Sequence, residues 1–91
     1  MDLTKDLLAI DWPESFHVFY CDGSSELLLR GDGVGLTTPL DDPDGIGGFD
    51  ALIPKKHPKH QHQGGRYIRY TELHKIVGVD GTILFCQPLE S

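Results

Sequence analysis

The apolar residues of this chain come in short runs, and a turn signal interrupts them every ten residues or so. That spacing restricts the chain to short strands. A run of about four to seven residues completes a strand, whereas a helix of that length does not persist alone. The 91 residues therefore predict one domain spanning 1–91, with no room for a second core. A domain of this size buries only roughly 60% of the surface its unfolded chain exposes, so its stability is expected to be modest.

Leu3, Leu7 and Ile10 fall at helical spacing, with Asp2 or Thr4 available as caps. Pro13 ends that short helix and holds Trp12 extended. Phe16–Cys21 is the clearest strand: Phe16, Val18 and Tyr20 share one face, His17, Phe19 and Cys21 the other. Because both faces are largely apolar, the pattern predicts cover on both sides. Asp22-Gly23 is a hairpin signal, with Glu26–Arg30 as the returning strand. Short strands are expected over Val34–Thr38 and Phe49–Ile53, the second ended by Pro54. Further along come a strand over Arg66–Tyr70, one helical turn over Thr71–Lys75, and a hairpin of Lys75–Val79 and Thr82–Cys86. The Asp80-Gly81 pair between its arms suits a two-residue type I′ turn.

The segment Tyr67-Ile68-Arg69-Tyr70-Thr71-Glu72-Leu73-His74-Lys75-Ile76-Val77-Gly78-Val79-Asp80-Gly81-Thr82 is similar to the strand, single turn and hairpin of SH3-like and Sm-like barrels. The likeness lies in apolar pattern and covers a small part of the chain, so it bears on fold and not on function. The expected architecture is mainly β with a minor α contribution. It is a small antiparallel sheet or SH3/Sm-like barrel of five to six strands, with a short N-terminal helix.

Two loops separate these elements. Residues 39–50 form an acidic Gly/Pro loop containing Asp41, Asp42, Asp44 and Asp50; residues 55–65 form a basic, His-rich one. The net charge is −6, and it is unevenly placed. Residues 1–54 hold two bases against eleven acids (−9), and residues 55–91 hold six bases against three acids (+3). The overall acidity disfavours general nucleic-acid binding, which needs surplus Lys and Arg.

No export or membrane signal is read: the apolar stretch Leu7–Ile10 is too short for a signal core. The expected setting is cytoplasmic, with Cys21 and Cys86 as two buried, reduced thiols. His57, His60 and His62 resemble a metal-binding run, but Lys55, Lys56 and Lys59 among them would repel a cation. No metal or cofactor is assigned. The aspartates of the acidic loop miss the spacing of an EF-hand and read as turn chemistry. Gly31-Asp32-Gly33-Val34-Gly35 lacks the lysine of a phosphate loop, and Arg30-Gly31-Asp32 reads as a turn. On a strand His17 and Cys21 would lie about 13 Å apart, too far to act as base and nucleophile.

No catalytic residue is assigned, and the chain is read as a non-enzyme. The sequence points to a small non-catalytic protein-interaction or regulatory module that uses charged loops on a β framework. The contact residues it nominates are Asp41, Asp42, Asp44, Lys55, Lys56, Lys59, Arg66, Tyr67 and Arg69. A protein partner or self-association is expected. The alternative is single-stranded nucleic acid bound by residues 55–70, where five bases accompany Tyr67 and Tyr70.

Overall fold

The computed structural model describes residues 2–54 and 62–87. A short helix α1 (Thr4–Leu8) precedes seven strands: β1 (Ser15–Tyr20), β2 (Ser25–Leu29), β3 (Gly35–Thr37), β4 (Gly48–Pro54), β5 (His62–Arg69), β6 (Leu73–Gly78) and β7 (Ile83–Cys86). They form one antiparallel sheet ordered β3-β4-β2-β1-β6-β7, with β5 on the remaining side of β4. The sheet curls into a half-barrel. Among the described residues three strands have a single partner: β3 and β5, each paired with β4, and β7, paired with β6.

Alternation along the strands explains the core. Phe16, Val18 and Tyr20 of β1 point into the concave face beside Leu28, Phe49, Ala51, Ile68 and Ile76. Leu3 and Leu7 of α1 close over them. Full burial of a side chain the size of Phe16 contributes about 1.5–3 kcal/mol. The helix is too short to stand alone and is tied down by side chains. The Trp12 indole donates to the Leu7 carbonyl at 3.0 Å, and its ring lies 4.9 Å from Phe16 and 5.7 Å from Phe49. Arg30 donates to the Trp12 carbonyl at 2.7 Å, and the Thr4 and Tyr70 hydroxyls meet at 3.0 Å.

Besides the strand count, seven against five to six, and the expected loops 39–50 and 55–65, whose ends 48–50 and 62–65 belong to β4 and β5, four expectations need correction. First, the described residues cover β1 fully on one face only. His17 and Phe19 are half-buried on the convex side, where Lys75 rather than a second layer lies over the Phe19 ring at 4.7 Å. Second, the single turn before β6 occupies Tyr70–Glu72 and not Thr71–Lys75, so β6 already begins at Leu73. Third, Cys21 and Cys86 are free and exposed. They sit on β1's end and on β7, with β6 between those strands.

The fourth concerns the Asp-Gly hairpins. A type I′ turn needs positive φ at both central residues, yet only Gly81 of this pair has it, at +90°, and no non-glycine residue among the described residues does. The β6–β7 connection is instead a three-residue loop. Gly78 N–H donates to the Thr82 carbonyl at 2.7 Å, and Gly81 N–H donates to the Gly78 carbonyl at 2.9 Å. The aspartate stays at negative φ and the glycine takes the left-handed position. The β1–β2 connection repeats this pattern with Tyr20, Gly23 at φ +92° and Ser24.

Candidate functional site

The acidic loop is a built turn rather than an open array of carboxylates. Thr38 accepts the N–H groups of Asp41 and Asp42 at 3.0 and 3.1 Å. The Asp42 carboxylate accepts Gly47 N–H at 2.8 Å and Asp44 N–H at 3.2 Å. Those bonds, Gly47 foremost, hold its carboxyl below the usual range. Asp42 is therefore committed to the fold, while Asp41 and Asp44 are exposed. Asp44 pairs with Arg69 across the loop at 3.4 Å, a solvent-exposed contact of little energetic weight.

The nominated basic segment divides. Lys55, Lys56 and Lys59 lie outside the described residues, as do His57, His60 and the side chain of His62. Arg66 and Arg69 fall on opposite faces of β5, because Arg66 has the parity of the buried Ile68 and Arg69 that of the exposed Tyr67. Tyr67, 39% exposed, lies over Gly48, where any Cβ would meet its ring at 2.7 Å. Tyr70 is fully buried. The two tyrosines do not form one stacking platform.

Arg66 reaches into the mouth of the half-barrel. Its Nε lies 3.3 Å from Glu26, its guanidinium stacks 5.6 Å from the Tyr20 ring centroid, and Tyr20 donates to Glu26 at 2.7 Å. Burial and the Glu26 bond together push the Tyr20 hydroxyl up to about 12. Glu26 and its link to Arg66 escaped the reading of the sequence. The alternation that buries Leu28 places Glu26 on the same face, two residues nearer the open end.

Two clefts lie at opposite ends of the β1–β6 pair, each beside one Asp-Gly turn. The first, about 310 Å³, is polar: Tyr20, Cys21, Asp22, Arg66, Thr71 and Glu72 line it. Cys21 there points its thiol at the Thr71 and Leu73 carbonyls. The second, about 270 Å³, has Pro13, Val79 and Leu84 among its walls, with Asp11 and Asp80 at its rim.

No catalytic constellation is assembled from the described residues. His17 stands on the convex face of β1, while Cys21 lies past its end with its thiol turned toward the β6 side. Among the described residues no group of three His, Cys, Asp or Glu side chains is placed to hold a metal ion. Arg30-Gly31-Asp32 is a turn, with Gly33 N–H on the Arg30 carbonyl and the arginine drawn back onto Trp12. No helix among the described residues is long and apolar enough to cross a membrane.

Charge is the site property that does emerge. The described residues hold thirteen Asp and Glu against five Lys and Arg, a balance of −8. Four of those five cations are held by the protein itself: Arg30 on Trp12, Arg66 on Glu26, Arg69 on Asp44 and Lys75 on Phe19. No protein-family profile matches the chain, and no curated protein or solved structure does either.

Proposed function

We propose that this chain is a non-catalytic protein-interaction module whose acidic β body recruits a basic segment of a protein partner. The observation that carries the reading is the net charge of −6, with four of the five cations among the described residues engaged internally. Such a surface steers a positively charged partner and repels acidic ones. Asp41 and Asp44 are the exposed carboxylates of the acidic loop, Asp44 in a weak solvent-exposed pair with Arg69, whereas Asp42 is occupied by the Gly47 and Asp44 backbone donors. A reducing, cytoplasmic setting suits two exposed free cysteines.

Single-stranded nucleic acid is the second reading. It rests on Tyr67, half-exposed beside Arg69 on a strand that follows Lys55, Lys56 and Lys59 in the sequence. An affinity capture from lysate, with and without nuclease and at low and high salt, separates the two. The interaction reading expects a nuclease-resistant protein partner that is released by salt. It also expects recovery to fall for the double variant Asp41→Lys, Asp44→Lys. Recovery that depends on nucleic acid, or that is indifferent to salt, overturns it.

A further inference from the structure

We propose that the free edge of β7, with the cleft beside it, is where a partner docks, as an added strand of alternating basic and apolar residues. This rests on the reading of the body as a recruiter of basic segments and adds where and how the segment binds.

Among the described residues three strands have one free side, and they are protected differently: β3 is three residues long and lies against α1. β5 carries Arg66 and Arg69 along with Gly64 and Gly65, and charge and glycine both discourage strand addition. β7 and its flanks, Thr82-Ile83-Leu84-Phe85-Cys86-Gln87, contain neither a charge nor a proline. The free N–H and C=O groups of this edge are a template for pairing, over a length limited by the four residues of β7, its bulge and Pro88, which follows Gln87 in the sequence. The apolar residues around it are uncovered, with Ile83 63% and Val79 62% exposed. Ile83 faces Val77 of β6, which in turn faces His17 and then Leu27, so it ends a row that crosses four strands on the convex face.

The register between β6 and β7 steps by two residues on β7 for one on β6, which makes Leu84 the extra residue of a bulge. Bulges re-aim side chains, and Leu84 here lines the second cleft with Pro13 and Val79. An apolar side chain of an added strand fits that cleft, and the exposed Asp11 carboxylate among its walls suits a neighbouring Lys or Arg. The same charge argues against a second copy of this chain as the occupant, because two chains of net charge −6 would be brought together.

The test is an amide-resolved NMR titration of the whole protein with a capped decapeptide alternating Lys and Val, and with its Glu–Val counterpart. The Lys–Val peptide is expected to shift Val79, Ile83–Cys86 and Asp11, and the Glu–Val peptide to shift nothing. Ile83→Lys, at an exposed position, should weaken binding by about tenfold or more, the factor that corresponds to about 1.4 kcal/mol. Val79→Lys in the turn provides the same test should the first variant misfold. Shifts confined to the acidic loop or the Tyr20 cleft would overturn the β7 assignment and leave the recruitment reading standing; no shift anywhere would remove both. Concentration-dependent dimerisation of the free protein, abolished by Ile83→Lys, would assign the edge to a second copy instead.

Discussion

The two Asp-Gly turns have one local structure and opposite surroundings. In each, the first residue's N–H reaches the fifth residue's carbonyl, at 2.8 Å for Tyr20–Ser24 and 2.7 Å for Gly78–Thr82. In each, the aspartate accepts the fifth residue's N–H, Asp22 from Ser24 at 2.8 Å and Asp80 from Thr82 at 2.9 Å. The glycines have φ of +92° and +90°. The difference lies in the first position. Tyr20 gathers Glu26 and Arg66 into a polar lid, whereas Gly78 offers no side chain, and a Cβ there would displace the Asp80 carboxylate 2.9 Å away. Turn chemistry fixes the path of the chain, and one residue in five decides whether that end is sealed by polar groups or left apolar.

The comparison breaks most visibly in alkali. Tyr20 has a hydroxyl raised from 10 to about 12, and the other turn has no titratable counterpart at that position. A raised value contributes stability that is complete below pH 10 and is lost as pH climbs toward 12. Chemical denaturation at pH 9 and pH 12 should show a loss on the order of 2 kcal/mol in the native chain that Tyr20→Phe lacks. Equal losses in both proteins would mean the Tyr20–Glu26 contact does not hold the proton.

A smaller effect tests the likeness of the turns. Gly23→Ala and Gly81→Ala each force an L side chain into the left-handed region, with nothing within 4 Å to add a clash. Each should cost about 1–2 kcal/mol in urea unfolding. A gap between them well above about 0.5 kcal/mol would show that the turns are not equivalent. The smallest effect is at acid pH. The Ser24 and Thr82 donors hold the Asp22 and Asp80 carboxyls below their ordinary value. The stability they bring is present above about pH 4 and is lost as pH falls. Asp22→Ala and Asp80→Ala should flatten the acid limb of the stability profile by similar small amounts, seen in urea midpoints at pH 3 and pH 6.

Much of the fold is legible in the sequence because it is local. Alternation in Phe16–Tyr20 assigns the core face, and both Asp-Gly pairs sit where hairpins turn. What alternation does not carry is the cover on the far side: His17 and Phe19 look like core residues, yet neighbouring strands supply their partial shelter. Turn type was also out of reach, because Asp-Gly serves two loop lengths and only the φ of the aspartate distinguishes them. Of the candidate site, Asp41 and Asp44 emerge exposed as the composition implied. Asp42 turned out to be a backbone acceptor, a role set by where Gly47 folds back. The pairing of Arg66 with Glu26 joins strands far apart in the chain, and only the sheet order brings them together.

The placement of Trp12 makes the molecule its own optical probe. It is the single tryptophan, lodged between the helix it hydrogen-bonds and two core phenylalanines on different strands. Its emission therefore reports the seam between the N-terminal segment and the sheet. Far-ultraviolet dichroism, dominated here by strands, reports the sheet itself. Should the segment lift away before the sheet melts, fluorescence will change at a lower denaturant concentration than dichroism. Coincident curves would instead make helix and half-barrel a single cooperative unit.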